Sequence, residues 1–166
     1  MTQRRPEISI RPMGMEDAEY LTKWLLQPGV LKYFPMYDVR EVEDAVRIWI
    51  GYSKFQSGLT ALWEGIPCGT ANLYIQPYKK LAHQCLLSIV VDENYRGKGV
   101  GTALLEDLMK LAKEKFHIEL LHLEVYEFNP AVNLYRRMGF KEYGIQKHFI
   151  KEHDQYVGKI FMQRNL

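Results

Sequence analysis

Six consecutive residues, Arg96-Gly97-Lys98-Gly99-Val100-Gly101, carry the densest chemical signal in the chain. Glycine has no Cβ, so a ligand can approach the bare backbone here. Arg96 and Lys98 add two full positive charges. Downstream, Val100, Leu104, Leu108 and Leu111 fall on one helical stripe, widened by Leu105 and Ala112. Glu106 and Lys110 pair at i,i+4 on its wet side. A helix therefore starts within or just after the glycine loop. Its first N–H groups lack intrahelical partners and its dipole is positive at that end. Glycines, cations and a helix N-terminus together suit a phosphate-bearing ligand.

Two phosphate classes fail on spacing. A nucleoside-triphosphate loop needs G-x-x-x-x-G-K-[ST], whereas Lys98 stands between the glycines. A dinucleotide fingerprint needs G-x-G-x-x-G; Gly97 and Gly99 match its start, but position 102 is Thr. The acidic residue that should follow about 20 positions later is also absent from the required context. Before the loop, Leu86, Leu87, Ile89, Val90 and Val91 form a short apolar run with little alternation, as in a strand covered on both faces. Asp92-Glu93-Asn94 ends it. The plain alternative is a glycine-rich turn with solvated charges.

The elements that must hold this loop can be read in order. Ile8 and Ile10 alternate in a first strand from Glu7 to Arg11, ended by Pro12 and Gly14. Met15-Glu16-Asp17 opens a helix carrying Ala18, Leu21, Trp24 and Leu25, which Pro28-Gly29 is expected to stop. Val30 to Pro35 is an apolar, aromatic connection. Asp38 can cap a helix through Val42, Val46, Ile48 and Trp49. Leu59–Trp63 and Ile66–Ile75 flank the turn Glu64-Gly65 as a hairpin. After the central strand and helix, Leu120 to Tyr126 alternates, with His122, Glu124 and Tyr126 on one face. Asn129 can cap a helix with Pro130 first, Ala131, Leu134, Tyr135 and Met138 on its stripe, and Gly139 at its end. Phe140–Ile150 and Gln155–Met162 form a last strand pair. The order β, α, α, β, β, β, α, β, α, β, β predicts a mixed α/β (α+β) fold. One parallel β–α–β unit lies in a mostly antiparallel sheet flanked by helices.

Composition narrows the class. A chain of 166 residues suits one domain, spanning 1–166, with a real core. Apolar content of 47% and charged content of 25% are those of a soluble globular protein. A net charge of +2 argues against a general nucleic-acid role, and Arg4-Arg5 is too short for a nucleic-acid arm. Cys68 and Cys85 are far apart without CxxC spacing, which points to reduced thiols rather than a disulfide or zinc framework. The start MTQRRPEIS lacks the apolar core of a signal peptide. No run approaches the ~20 apolar residues of a membrane span. His148 and His153 lack metal-ligand spacing. The expectation is a cytoplasmic protein with no metal, no nucleic-acid partner and no membrane attachment.

The Arg96–Gly101 loop resembles the R/Q-x-x-G-x-G/A loop of the GNAT superfamily of N-acetyltransferases. The element order matches that fold. Asn129-Pro130-Ala131-Val132-Asn133-Leu134-Tyr135-Arg136-Arg137-Met138-Gly139-Phe140 resembles the family's N-x-x-A-x-x-L-Y-x-x-x-G-F segment, with one residue missing between Asn and Ala. The Val30–Pro35 connection is similar to that of the branch containing ribosomal-protein and small-amine acetyltransferases. The resemblance is specific from Leu86 to Phe140 and loose elsewhere. It implies acetyl-CoA as co-substrate, with its pyrophosphate on Arg96, Gly97, Lys98, Gly99, Val100, Gly101 and Thr102. It also implies a pantetheine arm along Ile89, Val90 and Val91, where the central strand splays from its neighbour, and Asn129 on the coenzyme's other side. A homodimer is among the assemblies it allows.

Moving an acetyl group from a thioester to an amine has three needs. The amine must lose a proton, from a pKa of about 10.4 for a lysine-type amine or about 8 for an α-amine. The carbonyl must be polarised as it becomes an oxyanion. The leaving thiolate must be protonated. By the resemblance, Tyr135 is the acid. Glu124, in Leu123-Glu124-Val125, resembles the base of ribosomal-protein N-terminal acetyltransferases. His83, at the entry of the central strand where other members place a glutamate, is the rival, with a near-neutral pKa that suits a base. The acceptor would enter between the N-terminal helices and the last strand pair, past Trp24, Tyr33, Phe34, Tyr37, Tyr143 and Phe149. Glu41, Glu43 and Asp44 read as a solvated helix face rather than a polyamine site. The expected acceptor is therefore a singly charged primary amine, either a small molecule or a peptide N-terminus. A non-catalytic acyl-CoA-binding or sensory module on the same fold is the alternative.

Overall fold

The computed structural model describes residues 7–166; Arg4-Arg5 lies outside them. The strands are Ile8–Pro12 (β1), Gly58–Trp63 (β2), Ile66–Tyr74 (β3), Gln84–Val91 (β4), Leu120–Tyr126 (β5), Lys141–Glu152 (β6) and Gln155–Asn165 (β7). The α-helices are Ala18–Leu25 (α1), Pro28–Leu31 (α2), Val39–Gly51 (α3), Val100–Glu114 (α4) and Ala131–Arg137 (α5). One sheet runs in the order β1-β2-β3-β4-β5-β7-β6. Every neighbouring pair is antiparallel except β4 with β5. A parallel pair needs a long crossover, and α4 is that crossover. The mixed fold, mostly antiparallel with one β–α–β unit, is the one the sequence order predicts. Among the described residues, no helix is long and apolar enough to cross a membrane.

Each face of the sheet has its own core. One cluster joins α4 and α5 to the strands through Leu104, Leu105, Leu108, Val132 and Tyr135. The other packs α1 and α3 through Leu21, Trp24, Val46 and Trp49. β4 serves both: Leu87 lies in the first cluster and Val90 in the second. That is why its apolar run lacks alternation. Beneath α1, the buried Asp17 carboxylate accepts from Arg11 at 2.7 and 2.8 Å, from Gly14 N at 2.9 Å and from Thr60 Oγ1 at 2.8 Å. It fastens the first helical segment to β1 and β2.

The structure departs from the sequence reading in places. α1 ends at Leu25, ahead of Pro28 as expected, but Pro28 also begins a further helix, α2, as its first residue; proline lacks an N–H that position would leave unpaired, and its φ is already helical. β4 begins at Gln84, before the apolar run, because Gln84 pairs with Leu120. Asn129 caps α5 from one position further out: its Oδ1 accepts from Ala131 N at 3.0 Å, and the helix starts at Ala131. Asp38 caps α3 as expected, accepting from Glu41 N at 2.9 Å.

The β4–β5 contact is short. It comprises Gln84 with Leu120, Cys85 with Leu121 and Leu86 with His122. Beyond Leu86 the two strands part. β5 continues against β7 as far as Tyr126 with Lys159, while β4 keeps only β3 at its side.

Candidate functional site

A cavity of about 590 Å³ opens where β4 and β5 separate. Leu87 to Val91 form one wall and Leu123 to Tyr126 the other. The α4 N-terminus, α5 and the Tyr33–Met36 connection complete it. Strand ends, a helix start and a loop therefore converge on one space.

The glycine loop is shaped by left-handed backbone. Gly97 has φ +69° and Gly99 has φ +88°, angles that a side chain would disfavour. Gly99 is the residue from which α4 starts, so the first α4 amides stand beside the cavity. Gly101 lies within the first turn, where a Cβ would come 2.9 Å from Leu134 Cδ2; its absence lets α4 approach α5. The α1–α2 junction pins the loop from outside. Gln27 Nε2 donates to Asp92 Oδ1 at 2.9 Å, Glu93 N donates to Gln27 Oε1 at 3.0 Å, and Arg96 donates to the Gly29 carbonyl at 2.9 Å.

Of the residues singled out from the sequence, Ile89, Val90, Val91, Arg96, Gly97, Gly99, Val100, Gly101, Thr102, Glu124, Asn129 and Tyr135 all line this cavity. Lys98 does not. Its ammonium lies 5.4 Å from the ring centroids of both Trp63 and Tyr95, at the end of β2, where two π faces hold it. His83 does not either. It is exposed and precedes β4, so about 26 Å of strand, at ~3.3 Å per residue, separates it from the loop. Its carbonyl accepts from Glu119 N and Leu120 N, a structural role at the far end of the sheet. Tyr33, Phe34 and Phe149 reach the cavity, whereas Trp24 is fully buried in the α1–α3 core and Tyr37 and Tyr143 lie outside the lining. Glu41, Glu43 and Asp44 are exposed on α3 and do not line the cavity, although Ala45 and Ile48 of the same helix do.

Burial raises the Tyr135 phenol well above its ordinary value, so it remains an O–H donor. Its ring meets Phe140 edge-on at 6.3 Å, which holds it in place. Glu124 is exposed, its side chain 40% accessible, but it is paired. Its Oε2 accepts from Lys159 Nζ at 3.1 Å, diagonally across the β5–β7 ladder. Tyr126 shares Glu124's face; burial first, and Glu124's charge second, push its phenol up as well. The Tyr126 hydroxyl and the Trp49 indole nitrogen are buried without partners among the described residues.

Lys159, Tyr126 and Trp49 were not singled out from the sequence. Tyr126 is visible there as Glu124's neighbour on one strand face. Lys159 depends on the β5–β7 register and on a β-bulge, neither of which any local pattern reveals. In that bulge, β6 pairs through Gln146 with Lys159 and again through Ile150 with Val157. Three β6 residues therefore face Gly158 alone. His148 takes φ +56° to make the bend. Bulges re-aim side chains: here Phe149 lands 3.7 Å from the Lys159 ammonium and 6.1 Å from the Tyr126 ring. Gly158 N donates to Glu127 Oε2 at 2.8 Å in place of a ladder partner.

Comparison with known proteins adds a lineage to this geometry. The model of the acetyltransferase (GNAT) family matches residues 19–140. The chain is 45% identical over 74 residues to an N-alpha-acetyltransferase of Sulfurisphaera tokodaii, covering 43% of this chain and 44% of that protein. It is 25% identical over 162 residues to the L-amino acid N-acetyltransferase AaaT of Escherichia coli, covering 95% and 98%. The likeness thus spans under half the length of the first relative and nearly all of the second. The structure of a GCN5-related N-acetyltransferase from Kribbella flavida superposes with a TM-score of 0.81 at 27% identity, over 96% of this chain and 98% of that one.

Proposed function

The chain belongs to the acetyltransferase (GNAT) family, and on that premise we propose that it moves the acetyl group of acetyl-CoA onto a singly charged primary amine by direct attack, as one domain acting in the cytoplasm. The observation that carries the reading is the parting of β4 from β5 beside a glycine loop at a helix start, with Glu124 and Tyr135 on the same cavity. The coenzyme's pyrophosphate rests on the amides from Gly97 to Thr102, beside Arg96. Lys98, held at the rings, contributes only its field. The pantetheine arm takes the β4 backbone groups that β5 leaves free, along Ile89 to Val91, while Asn129 approaches from the α5 side. A β4 amide polarises the thioester carbonyl.

Glu124 accepts the proton of the acceptor ammonium, directly or through a water, and the free amine attacks the carbonyl carbon. The C–N bond forms, the C–S bond breaks, Tyr135 donates its proton to the departing sulfur, and the second proton that the nitrogen sheds on becoming an amide restores the Tyr135 phenol. The Tyr135 phenol keeps that proton because burial disfavours its anion. His83, which does not line the cavity, is given no part. Glu41, Glu43 and Asp44 are not among the cavity's lining residues, which favours a singly charged amine over a polyamine.

Thiol release from acetyl-CoA in the presence of an amine panel tests the transfer, and calorimetry tests the site. Gly99→Glu places a side chain and a negative charge at a left-handed position in the loop. A folded variant that binds acetyl-CoA as well as wild type overturns the assigned site. Wild-type binding without transfer to any amine replaces the enzyme with a coenzyme-binding module.

A further inference from the structure

Lys159 has no task in the chemistry above beyond touching Glu124. Its side chain is only 11% exposed, yet it lines the cavity. Its ammonium lies 3.1 Å from Glu124 Oε2, 3.7 Å from the Phe149 centroid and 5.1 Å from the Phe161 centroid. An ammonium has three donors. Glu124 takes one, and among the described residues no other group accepts from it. The ring faces satisfy the cation electrostatically but accept no conventional hydrogen bond. Burying a cation with unmet donors is costly. The fold nevertheless holds it there, through the bulge that lays Phe149 over it.

Phe149 and Tyr126 lie beside this pair, and much of the rest of the cavity wall is apolar. Phe34, Met36, Ile48, Trp49, Tyr126 and Phe149 supply much of its wall. Two opposite charges side by side in such a wall are the complement of a zwitterion. Glu124 Oε1 remains for an ammonium, and the remaining Lys159 donors for a carboxylate. We infer that the acceptor is a free α-amino acid with an apolar side chain, its carboxylate held by Lys159 and its ammonium delivered to Glu124. This rests on the acetyl-transfer reading. A polyamine would bring a second ammonium against Lys159. A peptide N-terminus would offer a neutral carbonyl where Lys159 calls for an anion. The carboxylate also places the amine: once Lys159 holds one end of the zwitterion, its nitrogen is beside the base that must deprotonate it.

Phenylalanine, phenylalaninamide and phenethylamine share a ring and an amine and differ at the carboxylate. Their kcat/KM values with acetyl-CoA are measured for wild type, Lys159→Gln and Lys159→Arg. The expected result is a preference for phenylalanine over the amide of at least tenfold in wild type. It collapses towards one in Lys159→Gln, chiefly through KM, and is retained in Lys159→Arg. Equal or better use of the amide by wild type overturns the inference while leaving acetyl transfer standing. A ranking that survives Lys159→Gln also overturns it and leaves Lys159 to orient Glu124. If wild type acetylates none of the three, nor any amine of a wider panel, the acetyl-transfer reading itself fails.

Discussion

The Tyr135 phenol loses its hydration inside the α4–α5 core, and the anion suffers most from that loss. Its proton therefore stays on through the whole range in which an amine acceptor becomes free. Tyr135→Phe keeps the ring and removes the donor. It should lower kcat by about 10²–10⁴-fold, the usual worth of a positioned general acid, with acetyl-CoA affinity nearly unchanged. Because the phenol does not titrate in the working range, wild-type and variant rate profiles should run parallel up to about pH 10. A variant with wild-type kcat removes Tyr135 from the reaction. A companion test concerns Glu124→Gln: its rate deficit should shrink as rising pH supplies free amine, and a constant deficit would assign Glu124 to binding alone. That Tyr135 and Asn129 belong to one cavity was legible in the sequence through a local motif, and that Glu124 joins them through a short strand context. Lys159 was not, since its meaning comes from a residue 35 positions away. His83 was singled out because the chemistry of its type suits a base, whereas the structure places it before β4 and outside the cavity lining.

At the scale of elements, Asp17 ties three pieces together. Burial alone would raise its carboxyl, but Arg11, Gly14 N and Thr60 outweigh that and hold it below its ordinary value. The folded state thus binds this proton more weakly than the unfolded chain does. Its stabilisation is complete above the unfolded value of about 3.9 and is lost as pH falls through the lower folded value. Asp17→Asn should cost about 1–3 kcal/mol at neutral pH, because Arg11 and Thr60 lose a charged acceptor. Denaturant titrations at pH 7 and near pH 3 would show the gap between the two proteins narrowing with acid; a gap that widens would contradict this account. A second element-level test is Gly158→Ala. A Cβ there would come 2.4 Å from Glu127 Oε2, so Glu127 must move and the bulge loses its anchor. KM for the acceptor should rise severalfold with acetyl-CoA binding intact. Hydrophobic periodicity revealed nearly every element, including the parallel unit. It missed α2, which depends on how one proline is used, and the bulge, which exists only once β6 and β7 are paired.

Across the whole molecule, the two cores meet at β4, and the site lies in the seam between them. The sequence shows this seam only as an apolar run without alternation. Residue patterning does not show that β4 and β5 agree for three residue pairs and then diverge, and only the family resemblance implied a splay at Ile89–Val91, because divergence is set by what packs around the strands rather than by either one. A ligand held between the halves should stabilise both. At a hundredfold excess over Kd, acetyl-CoA would add about 2.7 kcal/mol, roughly 5–10 °C in Tm for a chain of this size; no shift would mean no binding to the folded state. The divergence also gives the sheet a third edge, hidden inside the fold rather than at β1 or β6. Edges exchange their amide hydrogens fastest. In deuterated solvent, the half of β4 from Leu87 to Val91 should therefore take up label where it faces the gap, while Gln84 to Leu86 resists. Coenzyme should close that difference as a missing strand would, so the slowing of a few β4 amides would report that an extended ligand had completed the sheet.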